Sequence, residues 1–396
     1  MIKTFKNAQN ITNKFWNTKP VMKKNTNIFE TKIIDTNIEK KTERTKLPDG
    51  FVWEEISYDN GSSVCDFINK YYKRGNNSNY VVMYDTERIK WETNNKGYFL
   101  VIKNNNEIIA CVCVSFVSVM LNDKTYDMCN PQYLCCADDY KNHGITRVLV
   151  DEVARLTNNN TGIFLSNTII AQPISTIRYY TRPLNYKKLR ENDFVEIGGM
   201  KDDEIHNKLR INLKPNKQYI KIEYNESMLE LVYSMYCKYM TSFNISMVLT
   251  KDELKNYLFN TKYVKTFLIT SNNIPVDFVS YNFYDITNTQ KTENNIIKAC
   301  NLLMYSSNVI APEIMFMNIM KNMNADGHEI VFINDTMNNT DIILSSVKNA
   351  NEDTEDEEEN ANYNLNIMKT SKKSFMYLYN LKNPLFKQNM VSWFLF

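Results

Sequence analysis

The chain is 396 residues long, enough for two domains of ordinary size, each with its own core. Its 47 Lys and Arg against 45 Asp and Glu leave a formal charge of +2, which excludes the broadly basic surface of a nucleic-acid binder. No apolar run approaches the ~20 residues of a membrane span, and Met1 to Asn25 contain no secretory apolar core, so a cytoplasmic protein without a membrane span is expected.

Residues 1–46 are polar and rich in Lys, Thr and Asn, with apolar side chains only around Phe15-Trp16 and Ile28-Phe29. They read as an arm that must dock to become ordered. A Leu47-Pro-Asp-Gly turn then leads into a strand at Phe51-Val52-Trp53. Helices are predicted over 62–73 and 85–92, and the two strands of a hairpin over 98–103 and 107–121. Cys129 to Leu156 reads as a strand, a polar loop with one glycine, and an amphipathic helix. A glycine opening a helix lets an anion approach the backbone N–H groups of the first turn, so this order can build a phosphate cradle. On spacing alone the same pattern is also that of a plain turn.

The segment Tyr98 to Phe116 is echoed by Lys265 to Phe283, each an apolar strand, an Asn-rich turn and a second apolar strand. The echo predicts two similar halves with a junction near 200–220, a chance likeness of two hairpins being the other reading. Residues 350–362 are densely acidic and read as a disordered surface insertion, or as an acidic docking site for basic peptides. The eight cysteines lie mostly in apolar runs and read as reduced core residues, with no metal-ligand spacing among them.

Only three histidines are present, none in a nucleophile-like context, and no Gly-x-Ser-x-Gly, Walker or His-Glu-x-x-His motif appears. Chemistry here would run by direct transfer between two bound substrates, with positioning, an oxyanion hole and a base. The run Met390 to Phe396 ends on Trp-Phe-Leu-Phe, which predicts a buried end. Burial would carry the Phe396 α-carboxylate inward, to serve as a base or to be capped as the end of an edge strand.

Five segments resemble a known family. Lys14-Phe15-Trp16-Asn17-Thr18-Lys19-Pro20-Val21 is similar to the Tyr-x-Phe-Trp-x-Thr-Gln-Pro-Val signature of the glycylpeptide N-tetradecanoyltransferases, the N-myristoyltransferases. Leu47 to Trp53 resembles their Leu-Pro-x-Gly-Phe-x-Trp, and Tyr133-Leu134-Cys135 their Phe-Leu-Cys. Thr176 to Asn185 resembles Thr-x-Arg-Tyr-Trp-His-Arg-x-Leu-Asn, and Tyr377-Leu-Tyr-Asn380 continues to Phe396 like the family's last segment. The resemblance implies an α+β fold of two acetyltransferase-like halves related by a pseudo-twofold axis, with a mixed central sheet flanked by helices.

It further implies an arm, 1–46, over the acyl-CoA, an acyl-CoA half, 47–205, and a half, 206–396, carrying most of the peptide groove. Lys14, Phe15, Trp16, Lys141, Asn142, His143, Gly144, Ile145 and Thr146 would hold myristoyl-CoA, a co-substrate in a monomer with no prosthetic group. The N–H groups of Tyr133 and Leu134 would polarise the thioester, and the Phe396 carboxylate would take the proton of an N-terminal glycine. Tyr80, Val82, Tyr84, Gln132, Tyr179 and Thr181 would line the groove for Gly-initiated peptides.

Departures concentrate on the peptide side. The family's basic Arg-Ser-Lys-Arg loop is Lys141-Asn142-His143-Gly144 here, and its groove Phe-x-Phe-x-Tyr is Tyr80 to Tyr84. Gln132 replaces an Asn and Thr181 a His. Phe164-Leu165-Ser166-Asn167 replaces Tyr-Thr-Ala-Gly, and the Gly-Asp-Gly loop gives way to the acidic run and Met368 to Phe375. Two rivals follow: a non-catalytic homologue binding acyl-CoA or myristoylated proteins, and an acyltransferase of different chain length.

Overall fold

The computed structural model describes residues 14–23, 28, 30–36, 43–72, 79–141, 143–157, 161–195, 201–209, 214–348 and 366–394. The short strand β1 (Lys32–Ile33) belongs to the N-terminal segment. From residue 51 the chain runs β2 (Phe51–Ile56), α1 (Ser62–Tyr71), β3 (Tyr80–Val82), α2 (Thr86–Glu92), β4 (Gly97–Asn104), β5 (Glu107–Leu121), β6 (Lys124–Cys136), α3 (Ile145–Leu156), β7 (Gly162–Ser166) and β8 (Ser175–Pro183). After α4 (Tyr186–Glu191) and α5 (Asp202–Leu209) the same order returns. It comprises β9 (Tyr219–Lys221), α6 (Glu226–Met240), β10 (Ile245–Met247), α7 (Lys251–Phe259), β11 (Val264–Ser271), β12 (Ile274–Asn288), β13 (Ile296–Tyr305), α8 (Pro312–Ala325) and β14 (Ile330–Asn334), then α9 (Asn339–Lys348) and β15 (Met368–Tyr379). β16 (Leu381–Lys382) and β17 (Val391–Ser392) close the described chain.

The echo seen in the sequence is thus a repeat of whole units. Both hairpins turn on an Asn pair in the left-handed region, Asn105 and Asn106 at φ 48° and 67°, Asn272 and Asn273 at φ 51° and 62°. Two successive positive φ values make the type I′ turn whose twist matches that of the flanking strands, and asparagine tolerates it. The predicted helices differ from the observed ones only at their ends: α1 stops at Tyr71, and Asp85 is not in α2 but caps it, accepting from the Arg88 N–H at 2.7 Å.

The main sheet shows the symmetry directly. Its central order is β5-β6-β7-β15-β8-β14-β13-β12. Exchanging each strand for its counterpart in the other half and reading backwards returns the same order, as a pseudo-twofold axis between β15 and β8 requires. Small strands cross over as well: β3 pairs with β12 and β10 with β5. With β6/β7 and β13/β14 parallel and most other pairs antiparallel, the sheet is mixed, and the fold class expected from the resemblance holds.

The largest apolar cluster joins both halves, from Trp91 and Val119 through Val232 and Phe316 to Trp393 and Phe394. The described part of the N-terminal segment docks where the two halves meet. β1 pairs with β16, Val21 bridges to Tyr379, and the Asn380 N–H donates to Pro20 O at 2.6 Å. The acidic run lies outside the described residues.

Candidate active site

Two local features open a cleft in the first half. β6 and β7 run parallel but pair only at Cys129↔Gly162, where the Cys129 N–H donates to Thr161 O at 3.1 Å. Beyond that point the strands diverge. Glycine eases the contact, because a Cβ on Gly162 would sit 3.1 Å from the Cys129 carbonyl oxygen and the pair would have to give by a few tenths of an ångström. The counterpart strands β13 and β14 stay together over three pairs.

The second feature is a bulge in β6. Cys111 faces Cys135 and Cys113 faces Gln132, so Tyr133 and Leu134 together oppose Val112. Tyr133 takes φ 54°, uncommon for a bulky residue and a mark of a strand being re-aimed. Its side chain is over-determined from below. The Tyr133 hydroxyl donates to Glu92, and the Arg88 Nε donates to Glu92 Oε1 at 2.8 Å. The Tyr133 ring meets Tyr84 and Tyr72 edge-on, with centroids at 5.0 and 5.3 Å. Burial pulls the Arg88 guanidinium down, and the charge of Glu92 outweighs that to leave it above its ordinary value. Its carbon sits 4.9 Å from the centre of the Tyr284 ring.

α3 closes one end of the cleft. Its N-cap is Gly144 at φ 81°, and no side chain caps its first turn, so the helix presents its N-terminal N–H groups and the positive end of its dipole. The helix is pinned by Glu152, whose carboxylate accepts from Arg44 Nε at 2.9 Å and from Arg155 Nε at 3.0 Å. Burial raises the Glu152 carboxyl, and the bonds from Arg155, the Thr45 N–H and Arg44 outweigh it, leaving the group below the usual carboxylate value.

Between these elements lies a cavity of about 320 Å³. That is the lower end of the ~300–1,000 Å³ range of small-molecule sites. Its walls come from Pro131 and Leu134 of β6, Phe164 and Ser166 of β7, Val150, Val153, Ala154 and Thr157 along one stripe of α3 and its extension, and Thr146 and Arg147 at the start of that helix. Phe15 and Trp16 supply the roof. Trp16 stacks on Phe164 and Phe164 on Tyr377, each pair 5.4 Å apart. Lys19 ion-pairs with Asp151 on α3 and holds that roof down. Cys129 is the one lining cysteine, and burial pushes its thiol up to about 12, so it carries no thiolate for covalent chemistry at neutral pH.

The structure brings together Phe15, Trp16, Leu134 and Thr146, with Gly144 and Ile145 next to them in chain. Lys14 and His143 are exposed and do not line the cavity, and Lys141 is ion-paired with Asp138. Asn142 and Phe396 lie outside the described residues. Trp393 and Phe394 are buried, so the apolar end folds inward at least that far, its strand β17 lying parallel to β10.

Of the groove candidates, Gln132 donates to Ser115 Oγ at 3.3 Å and the Tyr179 hydroxyl shares a 3.0 Å hydrogen bond with Ser374. Thr181 is buried in β8. Tyr80 and Val82 sit in β3 against β12, with the Tyr80 hydroxyl donating to Asn192 O at 2.9 Å, and Tyr84 is buried against Tyr133.

Sequence reasoning missed Arg147, Phe164 as a stacking partner, and the Arg88–Glu92 pair. Arg147 was detectable as a basic residue in the first turn of α3. The Glu92–Tyr133 contact spans 41 residues and left no local signal.

A half-sheet with two strands splayed over an uncapped helix N-terminus fits the acetyltransferase-like halves that the resemblance implies. Comparison with known proteins narrows it. The family model for "Myristoyl-CoA:protein N-myristoyltransferase, N-terminal domain" matches residues 30–177. The glycylpeptide N-tetradecanoyltransferase of Plasmodium falciparum (isolate 3D7) is 26% identical over 211 residues, covering 49% of this chain and 52% of that one. That of Saccharomyces cerevisiae is 23% identical over 259 residues, 61% of this chain and 57% of the relative. The chain therefore spans about half the length of the curated relatives it matches. In fold, the crystal structure of Saccharomyces cerevisiae N-myristoyltransferase with bound myristoylCoA superposes with a TM-score of 0.83 at 16% identity, over 95% of this chain and 94% of that one. The chain is thus similar to the N-myristoyltransferases in sequence over part of its length and in fold over nearly all of it.

Proposed function

We propose that this protein moves a tetradecanoyl group from myristoyl-CoA to the N-terminal glycine of a peptide. The observation that carries this is one cavity joining the roof Phe15-Trp16, the bulge at Leu134 and the open end of α3 at Thr146 and Arg147. The α3 N-terminus and Arg147 would receive CoA phosphates, and the apolar walls the acyl chain. The thioester carbonyl would then lie at the bulge, where the N–H groups of Tyr133 and Leu134 stabilise the developing oxyanion. The domain division at 205/206 and the groove assigned to Tyr80, Val82, Tyr84, Gln132, Tyr179 and Thr181 belong to the same proposal.

The reaction needs no covalent intermediate on the protein, in keeping with the protonated Cys129. An α-ammonium has a pKa of about 8, so a modest base exposes its lone pair. The amine attacks the thioester carbon, the C–S bond breaks, and the proton released from nitrogen passes by way of the base to the departing CoA thiolate. We assign that base to the Phe396 α-carboxylate, the role the resemblance implies; the nearest described residues before it, Trp393 and Phe394, are buried.

Single-turnover transfer from labelled myristoyl-CoA to a Gly-initiated peptide tests the reading. Untagged protein should transfer. Protein extended beyond Phe396 should bind myristoyl-CoA equally and transfer poorly, and equal rates would remove Phe396 from the mechanism. Tight binding without transfer by the untagged protein would leave a non-catalytic acyl-CoA module.

A further inference from the structure

β15 leads from the cavity wall outward to a cluster of positive charge. At its inner end Tyr379 lines the cavity, Tyr377 stacks on Phe164, and Phe375 pairs with the cavity-lining Ser166. Strand alternation places Lys373 on the same face as Phe375, Tyr377 and Tyr379. Further out the strand bulges. Thr370, Ser371 and Lys372 fall between the pairs Lys369↔Tyr180 and Lys373↔Arg178, and together oppose Tyr179. The bulge is held in place by Thr370 Oγ1 donating to Tyr179 O at 2.8 Å and by the Lys372 N–H donating to Thr370 Oγ1 at 3.2 Å. The Lys372 ammonium sits 4.9 Å from the centre of the Tyr179 ring.

Among the described residues the charges here are unbalanced. Arg178 is matched by Asp335, with Nη1 to Oδ2 at 3.2 Å. Lys369 and Lys373 are exposed, and among the described residues no carboxylate pairs with either. These lysines flank Tyr179 and Thr181, the β8 residues assigned above to the peptide groove. Phe375 pairs with Thr176, Lys373 with Arg178 and Lys369 with Tyr180, so measured along β8 the two lysines stand two and four residues beyond the cavity wall, or ~7 and ~13 Å at ~3.3 Å per residue.

We propose that this basic bulge is the subsite for the downstream part of the acceptor, and that the protein selects Gly-initiated peptides bearing Asp or Glu about three to five residues into their sequence. The inference rests on the acyl-transfer reading above and adds to it the chemical class of the acceptor. An extended peptide leaving the cavity along β15 and β8 would set acidic side chains against Lys373 and Lys369. A peptide with Lys at those positions would meet like charge, which disfavours the wrong partner more strongly than the matching pair favours the right one.

The test uses full-length protein loaded with myristoyl-CoA and two peptides identical except for Glu or Lys at positions three to five. Fluorescence anisotropy reads binding, and steady-state transfer reads KM and kcat. The Glu peptide should be favoured at least tenfold in Kd and in KM, equivalent to 1.4 kcal/mol, with little change in kcat, and the preference should shrink as salt rises. The double variant Lys369→Glu/Lys373→Glu changes only exposed side chains and should reverse the preference while leaving myristoyl-CoA affinity unchanged. Equal binding of the two peptides, or a preference for Lys, overturns the inference even if both are acylated. Selective binding of the Glu peptide without transfer supports the basic subsite and overturns the acyl-transfer reading instead. Binding of neither peptide overturns both.

Discussion

Replacing Arg88 by Met is the sharpest probe of how the bulge at Tyr133 is held. The Glu92 side chain is fully buried and that of Arg88 only 7% exposed. Glu92 accepts from Arg88 Nε at 2.8 Å and from the Tyr133 hydroxyl, so removing Arg88 leaves a buried carboxylate with one neutral donor. Breaking a buried pair from one side costs about 3–5 kcal/mol. One Arg88 terminal nitrogen, Nη2, has no hydrogen-bond partner, so the native pair is imperfectly satisfied and the lower end, about 3 kcal/mol, is expected. The double variant Arg88→Met/Glu92→Leu removes both charges and should recover most of that loss, because an apolar pair of similar size needs no compensation. Denaturant unfolding of wild type, both singles and the double gives the coupling directly. Transfer rate measured alongside should fall in the singles more than myristoyl-CoA affinity does, since Glu92 acts through Tyr133 rather than on the ligand. A single-variant loss under 1 kcal/mol, or a double variant no more stable than Arg88→Met, would refute the account of Glu92 as a charged anchor for the bulge.

Gly144→Val should weaken myristoyl-CoA binding roughly tenfold, since forcing a β-branched residue to φ 81° costs about 1–2 kcal/mol although its Cβ would touch nothing within 4 Å; an unchanged dissociation constant in a fluorescence titration would count against the phosphate cradle. Trp16→Ala removes the roof of the cavity and its stack on Phe164, and should also cost about tenfold in myristoyl-CoA affinity with unfolding nearly unaffected. Glu152 has a folded pKa below its unfolded value, so it contributes stability that is fully present above the unfolded value and is lost as pH falls through the folded one. Acid unfolding of Glu152→Gln should therefore show a shallower loss of stability below about pH 4.3 than wild type, and equal slopes would remove Glu152 from the acid transition.

What could be read from the sequence was what repeats locally. The Asn pairs at 105–106 and 272–273 announced both hairpins, because a two-residue turn with positive φ at both positions has few solutions. Gly144 before an apolar stripe marked the start of α3 for a similar reason. The placement of β15 between β7 and β8 had no such signature. It depends on pairing across some 200 residues, and the edges of β7 and β8 look alike to local propensity. Much of the site escaped for the same cause. Val150, Val153, Ala154 and Thr157 form a stripe at helical spacing that reads as core whether it faces a sheet or a cavity. It faces the cavity here because β6 and β7 separate after a single pair at Gly162.

The departures in sequence also acquire a location. Changes on the proposed acyl-CoA side fall in the loop before α3 and at Phe164 to Ser166 of β7, while the cleft, the bulge and the aromatic roof keep a continuous wall. On the proposed acceptor side, a strand that could have continued in register past Tyr179 instead bulges over three residues and carries lysines on both flanks. A bulge leaves the sheet's core intact and alters only what the edge presents to a passing peptide. Divergence of that kind changes which acceptor is chosen without disturbing how an acyl-CoA is held, so the two halves of the proposed reaction have separate structural determinants and can be tested by separate substitutions.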